Sequence, residues 1–131
     1  MKKFDNYRSN LLVLSRCNRQ DLTNEFIIGG IIDKFFIQFE LGWKVLKELL
    51  IHDGVPVGLS GSPREILKQA YRCYPCLDED IWLSMLSQRN NTIHIYDAAA
   101  ARALVDKIIS DYLPAFRALE DYILRRLNDW E

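Results

Sequence analysis

The chain has 131 residues, 49% hydrophobic and 27% charged, with a formal net charge of −1. That balance excludes intrinsic disorder and argues against a nucleic-acid binder coated in lysine and arginine, although a small local site is compatible with it. The length suits a single domain over 1–131, and no apolar run approaches the roughly 20 residues that span a bilayer.

The start, Met1 to Asn6, lacks the apolar stretch of a secretory signal, and the three cysteines are an odd number. Both features point to a reducing cytoplasm. Phe4, Tyr7, Leu11 and Leu14 step by three and four, which predicts a first amphipathic helix fading at Asn18-Arg19. Ile28, Ile32, Phe35, Phe39, Gly42, Leu46 and Leu49 continue that step as the seam of a second, long helix. Ile31, Phe36, Trp43 and Leu50 widen its apolar surface beyond one seam, so a second copy of the chain is expected to cover part of it. Glu40 and Lys44 form an i,i+4 pair, which reads as surface decoration.

Asp53-Gly54 followed by Pro56 ends that helix with a left-handed cap, and Val55 to Gly61 is a loop. Ser62-Pro63-Arg64-Glu65 opens a short helix with a capping box, closing near Tyr74-Pro75. Cys73 and Cys76 have the spacing of a metal or redox pair. A structural zinc would need four ligands, and Cys17, His52 and His94 stand at irregular distances, so no metal and no cofactor is expected. Asp78-Glu79-Asp80 places negative charge on the first turn of the next helix, whose core face is Trp82, Met85 and Leu86. Asp97 caps the last helical stretch, with a stripe of Leu104, Ile108, Tyr112, Phe116 (or Leu119), Ile123 and Leu127, which Pro114 should kink or divide. The sum is an all-α, antiparallel up-and-down bundle of four main helices plus a short extra one, acting as a homodimer.

Between the last two helices lies Arg89-Asn90-Asn91-Thr92-Ile93-His94-Ile95-Tyr96. Arginine binds phosphate oxygens in a bidentate fork and keeps its charge near neutral pH. Histidine gives and takes a proton there. Those two capabilities are what phosphodiester cleavage needs. On one ideal helix Asn90 and His94 share a face while Arg89 and His94 diverge, so either the helix bends or a second chain completes the site. The plainer reading makes Arg89 a surface ion-pair partner, His94 half-buried and Tyr96 part of the core.

The order Phe39-Glu40-Leu41-Gly42-Trp43-Lys44, Ser62-Pro63-Arg64-Glu65, Trp82, then Arg89-Asn90, His94, Tyr96 and Asp97 resembles HEPN-fold proteins of the nucleotidyltransferase substrate-binding branch. That branch carries the motif R-N-x-x-x-H-x-Y and a block F-E-L-A-W-K, and the resemblance spans Phe4 to Leu127. One departure is Phe36, which stands where the branch often has an acidic residue three before the block, so any role of that carboxylate does not carry over. The resemblance implies a metal-independent ribonuclease, the toxin of a toxin–antitoxin pair whose antitoxin is a minimal nucleotidyltransferase. His94 would move protons, Arg89 would stabilise the pentacoordinate phosphate of an RNA substrate, and Asn90 would orient one of them. Tyr96 would be the residue that the partner modifies. The rival is a non-catalytic subunit that binds a substrate or docks on the nucleotidyltransferase, using Arg89 and His94 as an anion pocket.

Overall fold

A computed structural model describes residues 1–57, 61–91, 93 and 96–130, with side chains described as far as 128. The described residues form helices and connecting turns, with no strand among them: α1 (Lys2–Leu14), a 3₁₀ turn (Cys17–Arg19), α2 (Glu25–His52), α3 (Pro63–Cys73), α4 (Glu79–Asn90), α5 (Ala98–Lys107) and α6 (Leu113–Trp130). The all-α expectation from the periodicity holds. No helix among the described residues is long and apolar enough to cross a membrane.

Four of the helices begin on a short polar side chain that accepts from the first-turn amides. Asn24 takes Phe26 N and Ile27 N for α2, Ser62 takes Glu65 N for α3, Asp78 takes Ile81 N for α4, and Asp97 takes Ala99 N and Ala100 N for α5. Each such cap is worth about 1 kcal/mol. α2 stops where the sequence says it should: Gly54 has φ of +74°, and Val55 N reaches back to Leu50 O at 2.9 Å. A side chain at Gly54 would strain that left-handed turn.

Pairwise contacts set the directions. Lys3 meets Glu48 while Asn10 meets Lys34 and Gln38, so α1 and α2 run oppositely. The last rod runs with α2, because Arg102 bonds Leu22 O, Tyr112 stacks on Phe35, and Arg126 grips Asp53. α4 runs against that rod, with Ser84 at Tyr112 and Trp82 edge-on to Phe116.

The core is aromatic. Phe35, Phe39, Trp82, Tyr112 and Phe116 are at most 1% exposed, each worth about 2–3 kcal/mol when fully buried. Tyr7 Oη donates to Phe116 O at 2.7 Å and ties the first helix to the last. Gln38 is the buried polar side chain among the described residues. Its amide donates to Tyr7 O at 3.1 Å and its oxygen accepts from Asn10 at 2.8 Å, so the group is not left unpaired.

Two expectations are refined. Ile31 and Leu50, assigned by sequence to the surplus apolar surface of α2, are buried in the chain's own core; Phe36 and Trp43 are half-buried, and Phe26 and Ile37 are exposed. The last rod does divide near Pro114. A π-helical turn at Ile108–Tyr112 precedes α6, whose second residue is the proline. Proline offers no N–H to the carbonyl four residues back, and the wider i→i+5 turn re-registers the bonds just ahead of it.

Candidate active site

α4 delivers Arg89 from its last turn. Trp82 anchors that helix in the core, packed on Phe39 and Phe116, and Ser84 shares a 2.7 Å hydrogen bond with the buried Tyr112. Burial, eased partly by Ser84, raises the Tyr112 phenol above its usual range, so it stays protonated and serves as a fixed strut. Arg89 then reaches across to α2, where its Nε lies 2.6 Å from Glu40 Oε1. Trp43 Nε1 donates to Glu40 Oε2 at 3.0 Å, and Lys44 Nζ stands 4.0 Å from the same oxygen. The indole therefore holds the carboxylate that pairs with the guanidinium. Arg89 remains about a third exposed. The contact is an ion pair, since Glu40 Oε1 accepts no well-aligned hydrogen bond, and a guanidinium in general offers the fork of donors that suits a phosphate.

α4 ends at Asn90, and Asn91 is extended (φ −94°, ψ 122°), so no continuous helix carries the motif from Arg89 to Tyr96. The ideal-helix angle between Arg89 and His94 therefore does not apply. Asn91 Oδ1 accepts from Ile93 N at 3.1 Å and turns the chain, and Tyr96 N and Asp97 N both return to Ile93 O at 3.0 Å. Asn90 is exposed beside Arg89. His94, with Thr92 and Ile95, lies outside the described residues. Tyr96 is 87% exposed, which overturns the reading that packs it in the core. The α5 N-terminus beside it, a candidate source of positive charge for an anion, already holds the Asp97 carboxylate.

A sequence model of the family described as nucleotidyltransferase substrate binding protein like matches residues 2–125. The chain belongs to that family. A relative from Haemophilus influenzae, named "Probable ribonuclease HepT", is 29% identical over 113 residues, which cover 84% of this chain and 75% of that protein. Both findings agree with the HEPN resemblance. In this nucleotidyltransferase substrate-binding-like chain, the blocks read separately in the sequence, 39–44 and 89–96, meet at the Glu40–Arg89 pair. Glu40, Trp43 and Lys44 were visible as a block, but without a role. Away from this site, Cys73 is exposed, while burial pushes the Cys76 thiol up to about 11, far from a reactive thiolate at neutral pH.

Proposed function

We propose that the chain is a metal-independent HEPN ribonuclease, the toxin of a toxin–antitoxin pair, working as a homodimer of four-helix up-and-down bundles with α3 as the short extra helix. The observation that supports this reading is the Glu40–Arg89 ion pair of 2.6 Å, which keeps a partly exposed guanidinium at the start of the motif. In the reaction, the RNA 2′-hydroxyl attacks the adjacent phosphorus, the new P–O2′ bond forms, and the P–O5′ bond breaks. His94 takes the 2′-hydroxyl proton and supplies one to the leaving 5′-oxygen. The Nη groups of Arg89 bind the non-bridging oxygens as charge accumulates, and Asn90 orients the phosphate or the imidazole.

Control by a minimal nucleotidyltransferase fits the exposure of Tyr96. Its phenol oxygen would attack the α-phosphorus of a nucleoside triphosphate, releasing pyrophosphate and the phenol proton. The attached nucleotidyl group would bring bulk and negative charge next to the RNA site.

The competing reading, a non-catalytic subunit that binds the nucleotidyltransferase or its substrate, draws support from the family's description and from Glu40, which offsets the charge of Arg89. RNA cleavage in the presence of EDTA separates the two. The wild type should cleave, and Arg89→Ala and His94→Ala should each lose about 10²- to 10⁴-fold while remaining folded. Activity lost on chelation, or an unaffected His94→Ala variant, favours the binding subunit.

A further inference from the structure

The first turns of α2 and the start of α5 enclose a groove of about 550 Å³ that the ribonuclease reading does not use. Its apolar wall is Gly29, Ile32 and Phe36 from α2 and Ala101 from α5. Phe26 and Tyr96 stand at the rim, 84% and 87% exposed, the two most exposed large apolar side chains among the described residues. A Cβ added at Gly29 would meet nothing within 4 Å, so the groove is open down to the helix backbone. Among the described residues its charged lining is Glu25, Asp33 and Asp97, with no lysine or arginine.

That chemistry selects the occupant. Three carboxylates repel RNA and free nucleotide, whose phosphates instead belong at Arg89. A second copy docked groove to groove would oppose the same acids to one another. An apolar side chain flanked by lysine or arginine satisfies both the wall and the rim. Tyr96 names the partner, on the reading that a nucleotidyltransferase modifies it. That enzyme has to set its transfer site over the phenol, so the protein surface around the transfer site falls on this groove. We infer that the α2–α5 groove is the docking surface for a basic, apolar-faced segment of the nucleotidyltransferase, which brings Tyr96 into register for modification. The inference deepens the proposed control of the ribonuclease and rests on it.

The test uses this chain and a minimal nucleotidyltransferase from the same genome, with calorimetric binding at low and high salt, and with the mass of the 90–102 peptide after incubation with ATP and magnesium. Glu25→Lys/Asp33→Lys reverses the charge, and Gly29→Leu fills the groove; neither substitutes a residue of the proposed catalytic set. Each should weaken binding at least 10-fold and slow Tyr96 modification in proportion. RNA cleavage and the dimer should stay as in the wild type, and wild-type affinity should fall with salt. Tyr96→Phe should bind within twofold of wild type while losing modification, which separates docking from chemistry. Wild-type binding that neither groove variant changes overturns the inference, as does a groove variant that dissociates the homodimer. A wild type that binds at this groove but is modified elsewhere retires the Tyr96 reading and keeps the docking surface. A wild type that does not bind removes both.

Discussion

A Cβ at Gly42 would stand 2.9 Å from Trp82 Cη2, 3.0 Å from Cζ3 and 3.3 Å from Tyr7 Cε2. Both neighbours are rigid and fully buried. Gly42→Ala would gain about 1 kcal/mol in helix propensity and lose about 1–3 kcal/mol to overpacking. The variant should therefore unfold at lower denaturant than the wild type; higher stability would show that Trp82 can move aside. Glu40 is the other residue with a sharp consequence. Glu40→Gln keeps the Trp43 acceptor but removes the charge that pairs with Arg89, and should cut RNA cleavage on the order of 10-fold without unfolding the chain. Sequence alone pairs Glu40 with Lys44, because spacing along one helix reveals only neighbours on that helix. The shorter contact, to Arg89, comes from a helix some fifty positions away, and periodicity carries no information about it. Gln38 was missed for the same reason: a polar residue inside an apolar run looks like a break in the seam until its partners on α1 are in place.

At the scale of elements, the clearest clamp joins the end of α2, the end of α3 and the far part of α6. Asp53 takes a bidentate pair from Arg126 at 2.7 and 2.8 Å, and the Tyr74 phenol donates to it at 2.6 Å. The Arg126 hydrogen bonds dominate in holding the Asp53 carboxyl down to about 2. In the unfolded chain an aspartate titrates near 4. The folded value is depressed, so the clamp's contribution is complete above about pH 4 and is lost as pH falls towards 2, with the folded state taking up its proton last. Asp53 is partly exposed, which limits the effect to about 1 kcal/mol. Urea midpoints between pH 5 and 2.5 should fall less steeply for Asp53→Asn than for the wild type, and parallel profiles would contradict this. The cap at Asp53-Gly54 and the break at Pro114 were legible because backbone chemistry fixes them locally. The clamp was not, since Arg126 sits among three arginines and only the packed α6 selects which one faces α2. The junction from Asn91 to Asp97 was read correctly as a link between helices, but the outward turn of Tyr96 follows from Asx-turn and cap geometry that residue types do not display.

On the scale of the whole molecule, the chain buries most of the apolar surface of α2 by itself, and what remains is an uneven face. Ile37 is 47% exposed, and Leu41 and Trp43 are half-buried. These residues flank Glu40, so a second copy seated there would bring two Arg89 sites towards each other. Sedimentation at micromolar concentration should give a dimer, and Ile37→Asp should give a folded monomer with little cleavage; a stable wild-type monomer would contradict the assembly. The chemistry itself is tested most directly by the ends it leaves. RNA incubated with the wild type in EDTA and examined by mass spectrometry should carry 2′,3′-cyclic phosphate and 5′-hydroxyl termini, and Arg89→Ala should produce almost none. Intact RNA, or cuts ending in 3′-hydroxyl and 5′-phosphate, would contradict attack by the 2′-hydroxyl at this site.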